Sequence, residues 1–262
     1  APVAVSGDRK FSNLAMGSEH TCGLEAAGVA WCWGTNSRGQ FGNGATSYAP
    51  ATTPIAVADG KTFTTLVAGS YHTCGLLTDG SAWCWGGNGQ YPSSTPVAVA
   101  GTKVFTKLAA GNSHTCGLES DGTVWCWGDN SRGQLGNGTM SNLPASTPVA
   151  VTGSTRFATL TAGGSHTCGV ASEGTAWCWG ANASGQLGYD GLTDRWSPVA
   201  VSGGQAFVHV AAGGSHTCAV TAKGIAYCWG NYEYGQLGDG TLGWSDAPVA
   251  CLLYTSDAAD DT

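Results

Sequence analysis

Residues 114–128 read His-Thr-Cys-Gly-Leu-Glu-Ser-Asp-Gly-Thr-Val-Trp-Cys-Trp-Gly, and this stretch sets the architecture of the chain. Its frame has two cysteines separated by nine residues, with His-Thr before the first cysteine and an aromatic residue on each side of the second. The frame occurs five times, and its histidines are His20, His72, His114, His166 and His216. Successive histidines are 52, 42, 52 and 50 residues apart. A period of this length indicates a tandem array of one supersecondary unit.

The segment between the two cysteines predicts a β-hairpin. Residues 119–122 read Glu-Ser-Asp-Gly, which suits a three-residue hairpin loop ending in a left-handed glycine. With that loop Cys116 lies opposite Cys126, and directly opposed strand residues have Cα atoms about 4.5–5.5 Å apart, a separation that a disulfide tolerates. Because strand side chains alternate, Trp125 and Trp127 project away from the face that carries Cys126. We therefore expect each unit to have a tryptophan face and a sulfur face.

The composition of the chain and the turn residues between its short segments predict an all-β fold. Glycine accounts for 42 of 262 residues and charged residues for only 10%, and helical periodicity is absent. The third unit contains four short strand candidates, at 95–99, 104–111, 114–118 and 123–128. A sheet with two apolar faces needs a neighbour on each side, and radial packing of blades provides one. We expect a β-propeller of four-stranded antiparallel blades.

The repeat resembles a known family. Residues 108–136 read Leu-Ala-Ala-Gly-x-x-His-Thr-x-x-Leu-x-x-Asp-Gly-x-Val-x-x-Trp-Gly-x-Asn-x-x-Gly-Gln-Leu-Gly, which is similar to the regulator of chromosome condensation repeat. The resemblance covers residues 1–250 and implies a β-propeller that usually has seven blades. Five repeats are present, so we expect a fragment of a seven-bladed ring. The cysteine pairs resemble those of the exported bacterial branch of the family.

The repeats divide the chain into approximate units. We place them at 1–53, 54–95, 96–147, 148–197 and 198–247, with the start of a sixth at 248–250. In the second unit the stretch 86–92 lacks most of the Gly-Gln-Leu-Gly loop, so we expect a short outer loop there. Residues 251–262 resemble the translation of a sequencing-library adapter, and we interpret them as read-through rather than native sequence.

The charge of the chain gives no reason to expect a nucleic-acid partner. The formal net charge is −7, and Asp257, Asp260 and Asp261 of the suspected adapter supply three of the 17 acidic residues, which leaves 10 basic and 14 acidic side chains and a charge of −4. No basic stripe remains. No apolar stretch is long enough to span a bilayer, so we expect no membrane insertion by the covered chain.

The ten cysteines of the frames could be disulfide-bonded, zinc ligands or spectators. We favour disulfides because Cys-x-x-Cys clusters do not occur. The expected pairs, in order, are Cys22–Cys32, Cys74–Cys84, Cys116–Cys126, Cys168–Cys178 and Cys218–Cys228. Bridges of this kind persist in oxidising compartments. We therefore expect an extracellular, periplasmic or cell-surface protein, exported by a signal peptide that this sequence does not include.

The repeated histidines and tryptophans are interpreted as structural. Each blade has one histidine at the same position, so the five histidines are spread around the axis and a shared metal site is not expected. We predict that each side chain binds backbone beside its own Gly-x-x-His turn. The tryptophan pairs are interpreted as packing residues, because the Gly-Trp-Arg-His-Thr motif of the light-sensing branch of the family is missing. We expect no catalytic residues, metal or cofactor, and no enzymatic activity.

The segments that differ between units are the candidate binding region. We interpret 43–53, 137–147, 189–197 and 239–247 as variable loops. Their aromatic residues are candidate anchors for a partner, although they could simply cover the blade edges. These candidates are Tyr48, Tyr189, Trp196, Tyr232, Tyr234 and Trp244.

The sequence leaves three functions open. The first is an exported, non-enzymatic scaffold that binds an unknown protein through its variable loops, as the resemblance to secreted inhibitor members of the family implies. The second is guanine-nucleotide exchange on a small GTPase, the founding activity of the family, which five disulfides disfavour. The third is binding of carbohydrate at the cell surface, which exposed tryptophans would support, although no carboxylate pair for its hydrolysis is identifiable.

Overall fold

The structure, a computed structural model, describes residues 3–87 and 93–251 and consists almost entirely of β-strands. A single turn of 3-10 helix spans Ala58–Gly60. The strands of the first two sheets are β1 Phe11–Met16, β2 His20–Glu25, β3 Ala30–Asn36, β4 Ser47–Ala56, β5 Phe63–Ala68, β6 His72–Leu77, β7 Ala82–Gly86 and β8 Ser93–Ala98. Those of the third and fourth are β9 Lys107–Ala110, β10 His114–Leu118, β11 Val124–Asn130, β12 Ser141–Ala150, β13 Phe157–Ala162, β14 His166–Ala171, β15 Ala176–Gly180 and β16 Arg195–Ala200. Those of the fifth are β17 Phe207–Ala212, β18 His216–Thr221, β19 Ala226–Asn231 and β20 Trp244–Ala250.

These strands form five four-stranded antiparallel sheets, each with its strands in chain order. We call them blades 1 to 5, which span 11–56, 63–98, 107–150, 157–200 and 207–250. This confirms the predicted propeller of four-stranded blades. The hairpin register is also confirmed, because Cys116 pairs with Cys126 and Gly122 closes the turn at φ +84°.

The blades are out of phase with the units that we drew on the sequence. The strand with the Pro-Val-Ala motif, which we placed at the start of each unit, completes the preceding sheet. Cys126 pairs with Val149, for example, so β12 belongs with β11 and not with the hairpin that follows. A tandem repeat has no unique starting point, and only the hydrogen bonds between strands fix its phase.

Consecutive blades pack face to face, and each interface joins unlike faces. The sulfur face of blade 3, with the buried cysteines Cys116 and Cys126, contacts Phe157 and Trp179 of blade 4. The same arrangement joins blade 1 to 2, blade 2 to 3 and blade 4 to 5. The predicted two-faced sheet is therefore correct, and each pair of faces contributes one layer of the core.

Two parts of the sequence interpretation fall outside the described residues. Residues 88–92 contain most of the outer loop that we expect to be short in the second unit. Residues 252–262 contain most of the suspected adapter, of which only Cys251 is described.

Candidate functional site

The repeated histidines connect neighbouring blades. His114 Nε2 of blade 3 lies 2.9 Å from Thr167 Oγ1 of blade 4, and this hydroxyl donates to the backbone carbonyl of Gln134 at 2.9 Å. His20 and His166 make the same bond to Thr73 and Thr217, at 2.9 Å in both cases. His72 bonds to Thr115 at 2.8 Å. A chain of side-chain hydrogen bonds thus crosses each of the four blade interfaces.

The geometry of this chain fixes the tautomer of the histidine. The single hydroxyl proton of Thr167 is used in the bond to Gln134, so His114 Nε2 must be the donor to Thr167. Nδ1 of His114 is then an acceptor, and it has no hydrogen-bond partner among the described residues. In the neutral ring of His114 the proton is therefore on Nε2.

Burial keeps the histidines neutral well below neutral pH. Desolvation lowers the pKa of His20 and His72 to about 4. It lowers the pKa of His114 and His166 to about 3, with a smaller contribution from neighbouring histidines. Buried imidazoles with such low pKa values are weak bases and stay neutral near pH 7, which agrees with a structural role at the blade interfaces.

The prediction that each histidine side chain binds the backbone beside its own turn is wrong for His20, His72, His114 and His166. The backbone carbonyl of His114 accepts from Gly111 N–H in the Gly-x-x-His turn at 2.9 Å, but its side chain reaches the next blade. A repeat motif carries no information on how successive repeats face each other, so the contact between blades could not be read from it. His216 has no such partner among the described residues, and its side chain is half-buried.

We did not predict the threonine that completes each connection, nor the glutamine whose carbonyl completes three of them among the described residues. Both were visible as the Thr that follows each histidine and the Gln of Gly-Gln-Leu-Gly. The carbonyl of Gln134 also accepts from Trp179 Nε1 at 3.0 Å, so one backbone oxygen receives two bonds from the next blade. Gln40 and Gln186 do the same for Trp85 and Trp229.

All ten frame cysteines are paired in the structure, in the order expected. The remaining cysteine, Cys251, is free, and its Sγ lies 3.3 Å from that of Cys228. Cys251 N–H donates to the carbonyl of Ala226, as Val201 N–H does to Ala176 one blade earlier. Cys251 thus occupies a position at which the other blades have valine.

The candidate aromatic residues differ in exposure. Tyr48 and Tyr234 are 93% and 87% exposed, and Trp244 and Trp196 are 53% and 46% exposed. Tyr189 is only partly exposed because its hydroxyl bonds to Thr193 and Arg195 lies over its ring at 4.4 Å. Tyr232 is also partly buried. We call the six candidates together the aromatic rim.

Much of the chain that we interpreted as variable loops is strand. Residues 47–53 and 141–147 lie in β4 and β12, and Trp196 and Trp244 lie at the starts of β16 and β20. The outermost strands are longer than their Pro-Val-Ala motifs because irregular pairing continues past the glycine of the neighbouring strand, as at Gly128 opposite Ala145. Rim residues on strands have fixed positions, which favours their use in binding.

Trp196 also covers a blade edge. Its indole lies against Gly133 in the outer loop of blade 3, and its carbonyl accepts from Gly138 N–H at 2.8 Å. A Cβ at Gly133, where φ is +77°, would collide with this ring. Trp196 therefore joins blades 3 and 4 while leaving nearly half of its surface accessible.

Within residues 3–87 and 93–251, no group of three or more His, Cys, Asp or Glu side chains is placed to hold a metal ion. The described residues also contain no helix long and apolar enough to cross a membrane.

Comparison with known proteins agrees with the geometry. The sequence model of the RCC1-like domain matches residues 1–258. The ultraviolet-B receptor UVR8 of Arabidopsis thaliana is 31% identical over 189 residues, which cover 71% of this chain and 33% of the receptor. The chain spans about a third of the length of such curated relatives.

Solved structures show the same fold. Human WBSCR16 superposes with a TM-score of 0.84 at 21% identity, over 97% of this chain and 71% of that one. Prp20p of Saccharomyces cerevisiae, whose structure was described with its binding to Gsp1p and histones, superposes with a TM-score of 0.59 at 20% identity, over 93% and 77% of the two chains. With blade topology, repeat motif and family match in agreement, the chain belongs to the family of RCC1-like β-propellers.

Proposed function

We propose that the chain is an exported, non-enzymatic propeller scaffold that binds a protein partner through its aromatic rim. The observation that carries the proposal is the exposure of Tyr48, Trp196, Tyr234 and Trp244 on a scaffold in which the second tryptophan of the frame is buried between blades in blades 2 to 5. Large aromatic side chains on fixed backbone lose little entropy on binding, and they are enriched at the energetic centres of interfaces.

The disulfides support export. Five bridges, each closing a loop between residues ten apart in sequence, would be reduced over time in a cytosol-like environment but persist where the milieu is oxidising. An extracellular, periplasmic or cell-surface location fits this chemistry. Denatured protein without reductant should expose one reactive thiol, that of Cys251, and eleven after reduction. Eleven thiols before reduction would contradict both the bridges and the export.

Partner binding is tested by capture of exported proteins from the source organism on immobilised chain, with a glycan array in parallel. The double variant Trp196→Ala, Trp244→Ala should reduce capture of a specific protein by about tenfold or more, since two rim anchors are lost. Val208→Ala is the matched control, because Val208 is 54% exposed but lies on β17, outside the rim. Undiminished capture by the double variant would refute the role of the aromatic rim in partner binding.

Two other functions remain as alternatives. Binding on the glycan array that is lost in the double variant would favour a carbohydrate-binding module, which the exposed tryptophans also suit. Nucleotide exchange on a small GTPase is suggested by the likeness to Prp20p, which binds Gsp1p. The disulfides weigh against it, and acceleration of nucleotide release from a small GTPase would establish it.

A further inference from the structure

The charged residues of the propeller are divided unevenly between its two ends. In each blade the turn between the first and second strands and the loop between the third and fourth strands lie at the same end, because the strands are antiparallel and in chain order. The bonds from the histidine of one blade to the threonine of the next join equivalent positions, so successive blades point the same way. We call this end the loop end, and the opposite end, with the turn between the two cysteine strands, the hairpin end.

The formal charge is −4 at the loop end and zero at the hairpin end. The loop end carries seven acidic and three basic residues, which are Glu19, Asp129, Asp190, Asp194, Glu233, Asp239 and Asp246, with Arg38, Arg132 and Arg195. The other seven of the 14 acidic and seven of the 10 basic side chains of residues 3–251 lie at the hairpin end. Residues 1–2, 88–92 and 252–262 include no Lys, Arg or His, so their side chains cannot neutralise the loop end.

Most of the acidic residues that blades 4 and 5 carry at the loop end have no cation beside them. Four take part in no ion pair within residues 3–87 and 93–251, namely Asp190, Glu233, Asp239 and Asp246. Blades 4 and 5 bring two of them together, since Asp190 N–H donates to the backbone carbonyl of Asp246 at 3.0 Å. The negative potential is therefore concentrated where these two blades meet.

The aromatic rim lies at the same end. All six of its residues are in loops between third and fourth strands or among the first two residues of a fourth strand. Among the described residues no Lys or Arg lies over the ring of the four most exposed, which are Tyr48, Trp196, Tyr234 and Trp244. Tyr234 directly follows Glu233, and Trp244 precedes Asp246 by two residues. Exposed rings and unpaired carboxylates are thus neighbours at the loop end of blade 5.

The hairpin end shows what a ring beside a carboxylate binds in this chain. Lys103 Nζ lies 3.5 Å from the centre of the Trp125 ring and 4.0 Å from Glu119 Oε1. Arg9 lies over Trp31 at 3.1 Å and makes an ion pair at 3.0 Å with the glutamate that ends β2. In both places an indole and a carboxylate hold one cation between them. The loop end of blade 5 offers the same two groups to a cation from outside the chain.

We propose that the loop end of blades 4 and 5 binds a basic, arginine-rich segment of the partner protein. Its guanidinium groups stack on the rings of Trp244 and Tyr234, and they pair with the carboxylates of Asp190 and Asp246. A planar guanidinium suits both contacts better than an ammonium group does. The negative potential attracts such a segment and repels an acidic one, which governs the rate of association and the choice of partner. This inference rests on the proposed function, because it gives the chemistry of the partner at the same rim.

The test measures the binding of two synthetic peptides to the full chain by fluorescence anisotropy in 50 mM NaCl. The probe has four Arg-Gly repeats, and the control peptide has four Gln-Gly repeats with the same uncharged fluorophore. The arginine peptide should bind at least about tenfold more tightly than the glutamine peptide. Raising NaCl to 500 mM should weaken its binding by about tenfold or more, because salt screens exposed charges.

Matched variants test whether the peptide lies at the loop end. Asp190→Asn with Asp246→Asn should weaken the arginine peptide by about fivefold, because two carboxylates lose their charge and keep their shape. The control is Asp79→Asn with Asp121→Asn, which removes the same charge from exposed turns of the hairpin end and should leave the affinity within about twofold. Trp244→Leu should weaken the peptide by about threefold, since the stacking surface is lost while an apolar side chain remains.

Three results would overturn the proposal. The first is equal binding of the two peptides. The second is an equal loss of affinity in the two aspartate pairs, which would mean that net charge alone attracts the arginine peptide. The third is capture of a protein that Trp196→Ala, Trp244→Ala abolishes but Asp190→Asn, Asp246→Asn leaves unchanged. That third result would leave the proposed function intact, whereas undiminished capture by both double variants would refute the rim and its basic partner together.

Discussion

The interface between blades 3 and 4 and the outer face of blade 5 carry the same residues in different surroundings. His114 is fully buried and bonded to Thr167, whereas His216 is half-buried and has no such partner among the described residues. Cys116 is 0% exposed, whereas Cys218 is partly exposed. The residues of the frame therefore join neighbouring blades. Where a frame residue contacts no neighbouring blade among the described residues, we expect it to contribute little to stability.

The largest effect that separates the two regions is the response to acid. The pKa of each bonded histidine is lowered on folding, so its stabilisation is present above the unfolded pKa of about 6.5 and is lost as the pH falls toward 4 to 3. At pH 5 each bonded histidine should lower the free energy of unfolding by about 2 kcal/mol relative to pH 7.5. Four such groups make the sum several kcal/mol.

Urea unfolding at pH 7.5, 6 and 5, followed by circular dichroism, measures this loss. The midpoint should fall steeply below pH 6.5. A midpoint that stays constant between pH 7.5 and 5 would mean that the histidines are not buried as neutral imidazoles. His216→Asn should leave the pH profile almost unchanged, since the half-exposed His216 contributes little to it.

The second effect is the difference between two alanine variants. His114→Ala removes a bonded side chain and leaves a cavity at a blade interface, so it should lower the free energy of unfolding by about 3 kcal/mol. His216→Ala should lower it by less than about 1 kcal/mol. Chemical denaturation of both variants at pH 7.5 measures the gap. Equal losses would contradict the assignment of the histidines to the interfaces.

The third effect is the order in which the disulfides are reduced. Cys84 and Cys218 are partly exposed, whereas both cysteines of blades 1, 3 and 4 are buried. The bridges of blades 2 and 5 should therefore be reduced about tenfold faster than the other three, because a thiolate reductant needs access to sulfur. Timed reduction, differential alkylation and mass spectrometry give the order. The background should be Cys251→Val, so that the Cys251 thiol beside Cys228 cannot exchange.

Simultaneous reduction of all five bridges would indicate global unfolding before reduction and would remove the contrast between the two regions. Faster reduction in blades 1, 3 and 4 would contradict the burial of their sulfur atoms.

Much of the fold can be predicted from the sequence, because the same pattern of strands and turns occurs five times. The hairpin between Cys116 and Cys126, its register and the two unlike faces follow from the period of a strand and the glycine of the turn. The phase of the blades did not follow, since Val149 could pair with either neighbouring hairpin as far as the sequence shows. The pairing of Val149 with Cys126 in the structure shows that this strand belongs to the preceding hairpin.

The candidate site was predicted less completely. Exposure of Tyr48 and Tyr234 agrees with their variable positions, but Tyr189 is covered by contacts with Thr193 and Arg195 that only the folded chain brings together. The partner of His114 lies 53 residues away on the next blade, and no local pattern reveals a contact at that separation.

A double-mutant cycle on His114 and Thr167 measures the connection between blades itself. If the histidine of one blade holds the threonine of the next, His114→Ala and Thr167→Val should show a coupling energy of about 1 to 2 kcal/mol in urea unfolding at pH 7.5. His114→Ala and Thr217→Val, whose residues belong to different connections, should be additive within about 0.5 kcal/mol. Additivity of His114→Ala with Thr167→Val would contradict the role of these histidines as connectors between blades.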